Sequence, residues 1–149
     1  MDIFLRPATS DDVPEIVAML ADDPLGAARE SPDDLTPYEA AFARFASDPH
    51  QRLLVAEENG QVVGTLQLAI LFGLSRRGSS RALIEGVRVR TDRRGAGIGG
   101  WLIRQAVEEA RREGCALVQL TSDASRTDAH RFYERLGFQA THVGYKLTL

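Results

Sequence analysis

The chain has 149 residues, 44% of them hydrophobic, which suits one globular domain with one core. Its net charge is −3, unevenly spread: residues 1–50 hold eleven Asp or Glu against three Arg, and the rest holds ten against fifteen Lys or Arg. An acidic total without a basic run interleaved with aromatics argues against a nucleic-acid partner, whereas a second part at net +5 suits a small polyanionic ligand.

Ile3 to Arg6 reads as a short strand, broken by Pro7 and followed by caps for a helix over Val13 to Ala21. Asp22 to Pro32, with two prolines and a glycine, reads as a loop. A second helix is predicted from Pro32 to Ala46, with Leu35, Tyr38, Phe42 and Phe45 near one face. Leu53–Ala56 and Val62–Phe72 are strand-like runs joined through Asn59-Gly60, a hairpin signal. Gly73 to Arg81 is a polar turn, and Leu83–Val89 returns as a strand. The turn Arg90 to Gly97 feeds a helix over Ile98 to Arg112, which Gly114 stops. Cys115–Leu120 is a further strand, Thr127–Leu136 a last helix ending at Gly137, and Phe138–Leu149 supplies one or two closing strands. The order is β-α-α-β-β-β-α-β-α-β, with the last strand open to splitting. It describes a mixed α/β or α+β fold in a single domain over residues 1–149. The longest apolar stretch, Leu66 to Phe72, is strand-sized, and Met1 to Pro7 lacks the layout of a signal peptide. Cys115 stands alone, so a reducing, cytoplasmic setting without membrane contact is expected.

The chemistry concentrates in Val87-Arg-Val-Arg-Thr-Asp-Arg-Arg-Gly-Ala-Gly-Ile-Gly-Gly. A strand feeds a glycine-rich turn that opens a helix. Glycines admit positive φ and close backbone approach, and the unpaired N–H groups of a helix start attract an anion. Arg93 and Arg94 add charge suited to phosphate. A P-loop is excluded, because no Gly-Lys-Ser or Gly-Lys-Thr occurs. A dinucleotide fingerprint is harder to dismiss: Gly95, Gly97 and Gly100 satisfy G-x-G-x-x-G, and Asp123 ends the next strand. Against it, Arg90 to Arg94 separate the strand from the first glycine, and an antiparallel meander precedes the unit.

Arg94-Gly-Ala-Gly-Ile-Gly resembles the [RQ]-x-x-G-x-[GA] signature of the GNAT superfamily of N-acetyltransferases. Asp128-Ala-His-Arg-Phe-Tyr-Glu-Arg-Leu-Gly-Phe resembles that family's second motif. Ile84-Glu-Gly-Val-Arg-Val is similar to its pyrophosphate-approaching strand, and Leu5-Arg-Pro-Ala-Thr to its opening. Within the superfamily the Asp128–Tyr133 stretch looks most like aminoalkylphosphonate N-acetyltransferases. The resemblance implies a mostly antiparallel sheet of six to seven strands flanked by four helices. It also implies direct transfer from acetyl-CoA to an amine in a ternary complex. Acetyl-CoA would be held by Val87, Arg88, Val89, Arg94, Gly95, Ala96, Gly97, Ile98, Gly99 and Gly100, with Ser122, Asp123, Phe132 and Tyr133.

Acetyl transfer needs a deprotonated amine, a polarised thioester carbonyl and a proton for the leaving thiolate. Tyr133 is the candidate general acid; the competing role is a core aromatic beside Phe132. Glu85 is the candidate base through water, since a carboxylate in a central strand is costly unless used or paired; pairing with a nearby arginine is the alternative. Gly86 permits a bulge there. A backbone N–H near Val87 would polarise the carbonyl. Many family members carry Asn after the fifth strand, where this chain has Thr121-Ser-Asp, so Ser122 or Asp123 would substitute. Cys115 is read as a small core residue, and Asp123, Asp128 and His130 are not expected to bind metal. The acceptor, a small-molecule primary amine, is expected against Leu25, Arg29, Tyr38 and Glu85. The acidic first fifty residues suit a cationic amine, whereas Arg29, Arg76, Arg77 and Arg81 suit an acceptor with carboxylate or phosphate. Alternatives are a catalytically idle acyl-CoA-binding or sensor domain and a protein or peptide N-acetyltransferase. The C-terminal strands are a candidate interface for a homodimer.

Overall fold

The computed structural model describes residues 2–149, which form two compact units, one ending at Gln119 and one spanning Leu120–Leu149. Its sheet has five strands in the order β1-β2-β3-β4-β5: β1 (Ile3–Pro7), β2 (Gln51–Glu58), β3 (Gln61–Leu71), β4 (Arg81–Val89) and β5 (Leu117–Leu120). The first four form an antiparallel meander, as the Asn59-Gly60 turn requires at the β2–β3 junction. Asn59 and Gly60 both have positive φ, 52° and 78°.

β3 is buried on both faces because helices cover both. On one face α1 (Val13–Ala21) sets Ile16 and Met19 against Val55 and Val62. The next residue along β2, Ala56, points the other way, toward α5 (Ile98–Arg112), and its neighbour Gly64 explains the close packing there. A Cβ at Gly64 would lie 2.8 Å from Cδ1 of Leu102 on α5. A bulge puts Val63 out of register between Ala56↔Gly64 and Glu57↔Val62, which returns Val62 to the α1 face.

The structure corrects several expectations. The segment read as a loop holds a further helix, α2 (Pro24–Arg29), with Asp23 as N-cap and Pro24 in its first turn. The next helix, α3 (Thr36–Ala46), starts four residues later than Pro32, because Asp34 Oδ1 accepts from the Thr36 N–H at 3.1 Å in a turn ahead of it. The polar turn after β3 contains α4 (Ser75–Gly78), in which Arg76 and Arg77 are left-handed. The last helix is α6 (Thr127–Arg135), so among the described residues six helices and five strands replace the predicted four and six to seven. Phe138–Leu149 carries no strand. Val143, Tyr145, Leu147 and Leu149 do alternate, but all are exposed. A period-two pattern names a face; a ladder also needs a neighbour.

Candidate active site

β4 is interrupted where the sequence places Gly86. Thr65 pairs with Arg88 and Gln67 with Glu85, so Gly86 and Val87 together oppose Leu66. Gly86 has φ +62°, the glycine form of a bulge, and the extra residue leaves backbone at Val87 out of the regular ladder. Glu85, immediately before it, is solvent-exposed. Burial therefore supplies no reason for this carboxylate, and among the described residues no arginine pairs with it.

Beyond β4 the chain makes a 3-10 turn at Thr91–Arg93, then Arg94 in extended conformation, then Gly95 and Gly97 at φ +82° and +83°. Gly97 is the N-cap of α5 and supplies no side chain; the helical ladder begins with the Trp101 N–H donating to its carbonyl at 3.1 Å. The N–H groups of Ile98, Gly99 and Gly100 therefore open the helix without intrahelical acceptors. A Cβ on Gly95 or Gly97 would meet nothing within 4 Å, so the glycines answer a conformational demand and the space beside them is open. Ala96 lies exposed between them.

The two arginines divide. Arg93 is held bidentate by Glu58 of β2, Nε and Nη2 donating at 2.7 and 2.8 Å, which ties the turn to the sheet. Arg94 is half exposed; its Nε donates to the Val89 carbonyl at 3.2 Å and its Nη2 to the Asp22 carbonyl at 3.4 Å. Arg88 Nε lies 3.2 Å from Asp23 Oδ2, and its Nη1 donates to the Val87 carbonyl at 2.9 Å. Asp22 and Asp23, which composition alone left inside a loop, thus face both candidate cofactor arginines. The sequence signal that finds them is Asp-Pro, an N-cap followed by a first-turn proline.

On the acceptor side, Leu25 and Arg29 lie exposed on α2, and Arg29 Nε is 3.6 Å from Glu30 Oε2. The Tyr38 hydroxyl donates to Glu30 Oε1 at 3.0 Å and accepts from the Ser31 N–H at 2.8 Å. It fastens the α2–α3 connection, a task the sequence did not disclose.

In the second unit, the Ser122 hydroxyl is buried without a hydrogen-bond partner, a group that a ligand would complete. Asp123 is committed to a turn: its Oδ1 accepts from the Ser125 N–H at 2.9 Å and Oγ at 2.5 Å, bonds that hold its carboxyl below the usual range. His130 Nε2 sits 2.9 Å from the Asp123 carbonyl. On α6 the rings of Phe132 and Tyr133 meet edge to face at 5.1 Å although they are neighbours in sequence. The helix closes on Gly137 at φ +98°, whose N–H donates to the Glu134 carbonyl at 3.0 Å. Partial burial raises the Cys115 thiol above its ordinary value, with the Glu113 carboxylate adding to it. Among the described residues no helix is long and apolar enough to cross a membrane.

Residues 14–138 match the Acetyltransferase (GNAT) family. The chain is 32% identical over 145 residues to an aminoalkylphosphonate N-acetyltransferase of Salmonella typhimurium, covering 97% of this chain and 90% of that one. It is 37% identical over 93 residues to a glucosamine 6-phosphate N-acetyltransferase of Trypanosoma brucei brucei, covering 62% of this chain and 61% of the other. A crystal structure described as a transcriptional regulator from Bacillus halodurans C-125 superposes with a TM-score of 0.94 at 44% identity, covering 99% of both chains.

Proposed function

From the premise that this chain belongs to the acetyltransferase (GNAT) family, we propose that it transfers acetyl from acetyl-CoA directly to the primary amine of a small molecule bearing a phosphonate or phosphate group. The turn from Arg94 to Gly100 carries the reading: two glycines at positive φ, an uncapped helix start and one half-exposed arginine suit a pyrophosphate. The bulge at Gly86–Val87 supports the placement of the thioester, since a backbone N–H released from the ladder can face its carbonyl oxygen. The amine nitrogen attacks that carbonyl carbon, the C–N bond forms and the C–S bond breaks. The amine's proton leaves through water to Glu85, and Tyr133 protonates the thiolate. Two curated relatives act, by their names, on amines that carry phosphonate or phosphate, which favours the arginine cue over the acidic one and gives Arg29 the acceptor's anion.

The test is release of CoA thiol with aminoalkylphosphonates, glucosamine 6-phosphate, polyamines, amino acids and an N-terminal peptide as acceptors. Turnover fastest with the phosphorus-bearing amines is expected. Acetyl-CoA binding without turnover on any amine would instead mark an idle acyl-CoA module, and preference for the peptide a protein N-acetyltransferase.

A further inference from the structure

The connection between α1 and α2 is clipped to the cofactor turn at several points. The Asp22 carboxylate accepts a hydrogen bond from the Thr91 hydroxyl, and its Oδ2 lies 3.8 Å from Arg94 Nη2. The Asp22 carbonyl accepts from the same guanidinium at 3.4 Å. One residue on, Asp23 presents Oδ2 to Arg88 Nε at 3.2 Å and Oδ1 to the Gly26 N–H at 2.6 Å, so the residue that caps α2 also grips β4. Gly26 is pressed on the end of α1, since a Cβ there would fall 1.8 Å from the Leu20 carbonyl oxygen. Asp22, Asp23 and α2 therefore form one short, closely packed strap. Its exposed end occupies the arginine assigned to the pyrophosphate.

We infer that Asp22 is a positioning residue that couples the two substrates. Its carboxylate stands at the Arg94 guanidinium and is displaced by the cofactor pyrophosphate. That displacement frees the α1–α2 connection and sets α2, with Leu25 and Arg29, for the acceptor. The inference rests on the acetyl-CoA reading above. The pair is about half exposed and long, so it is weak and easily exchanged. A pyrophosphate brings more charge and more acceptor oxygens to the same fork than one carboxylate does. Asp23 stays on Arg88, deeper in the fold, and serves as the pivot.

Calorimetric titration of acetyl-CoA into wild type and Asp22→Asn, at low and high salt, tests this. Asn keeps an acceptor for Thr91 and removes the charge. The expected result is about two- to fivefold tighter binding in the variant, with the gain shrinking at high salt. Hydrogen exchange supplies the second readout: the amides of residues 25–29 should exchange faster in wild type once acetyl-CoA is added, and should already be fast in free Asp22→Asn. Asp22→Ser carries the same expectation and serves if Asn lowers the melting temperature severely. Wild type that binds no acetyl-CoA overturns the function and this inference with it. Wild type that binds, with equal or weaker affinity in both variants and unchanged exchange, overturns the coupling alone.

Discussion

Tyr133 and Phe138 are joined twice: the Phe138 N–H donates to the Tyr133 carbonyl at 3.1 Å, and their rings meet edge to face at 6.0 Å. With Gly137 left-handed between them, this is a Schellman end to α6, complete with the apolar contact between its third-last residue and the one beyond the glycine. The Leu136-Gly-Phe segment thus fixes the ring of the proposed acid from below, while Phe132 holds it from the side at 5.1 Å.

Tyr133→Phe keeps both ring contacts and removes only the hydroxyl. Loss of the hydroxyl should cost the fold no more than about 1–2 kcal/mol, while kcat falls by about a hundredfold or more, the usual worth of a general acid. Paired melting curves and CoA-release kinetics check it; unchanged kcat would remove Tyr133 from the chemistry.

Gly97→Ala puts a side chain at φ +83° where nothing crowds it. The backbone cost is about 1–2 kcal/mol. If that is relieved by opening the turn, acetyl-CoA affinity drops by at least as much as stability, which titration calorimetry beside a denaturant melt will separate.

Gly26→Ala meets backbone rather than a yielding side-chain tip, with the Leu20 carbonyl oxygen at 1.8 Å. Displacement of α2 from the end of α1 should cost about 1–3 kcal/mol. The amine's KM should rise more than that of acetyl-CoA; steady-state kinetics with both substrates varied would show the opposite pattern if α2 did not serve the acceptor.

Asp12 is buried beneath Arg6, whose Nη1 and Nη2 donate to it at 2.7 and 3.0 Å while Nε donates to Glu57 at 3.1 Å. The guanidinium first, and the Thr9 N–H after it, hold the Asp12 carboxyl below its ordinary 3.8. A depressed native value means the stabilisation is complete above about pH 4 and is lost as pH falls through the native value. Asp12→Asn should therefore cost about 1–3 kcal/mol at neutral pH and progressively less in acid, as urea melts from pH 7 to pH 2 would register.

Local chemistry made much of this molecule legible in its residues. Asn59-Gly60 announced the hairpin, Gly114 and Gly137 the helix ends, Gly86 the bulge, and Gly95 with Gly97 the left-handed turn before α5, because each acts through its own φ and its immediate neighbours. Asp23-Pro24, read inside a loop, holds the N-cap and first-turn proline of α2. The family followed from the order of those local features. The long-range pairings were not readable. Arg93 and Arg94 are adjacent and alike, yet one reaches 35 positions back to Glu58 and the other 72 back to Asp22. Glu85 was expected to be costly in its strand, but alternation does not say that its face is open to water. The tail's alternation named a strand that has no ladder. Sequence by itself determined where the backbone turns and where a glycine must adopt positive φ, since those depend on torsion angles a few residues wide. Which arginine pairs with Glu58 and which is left half exposed beside Asp22 was decided only when the folded sheet brought distant charges together.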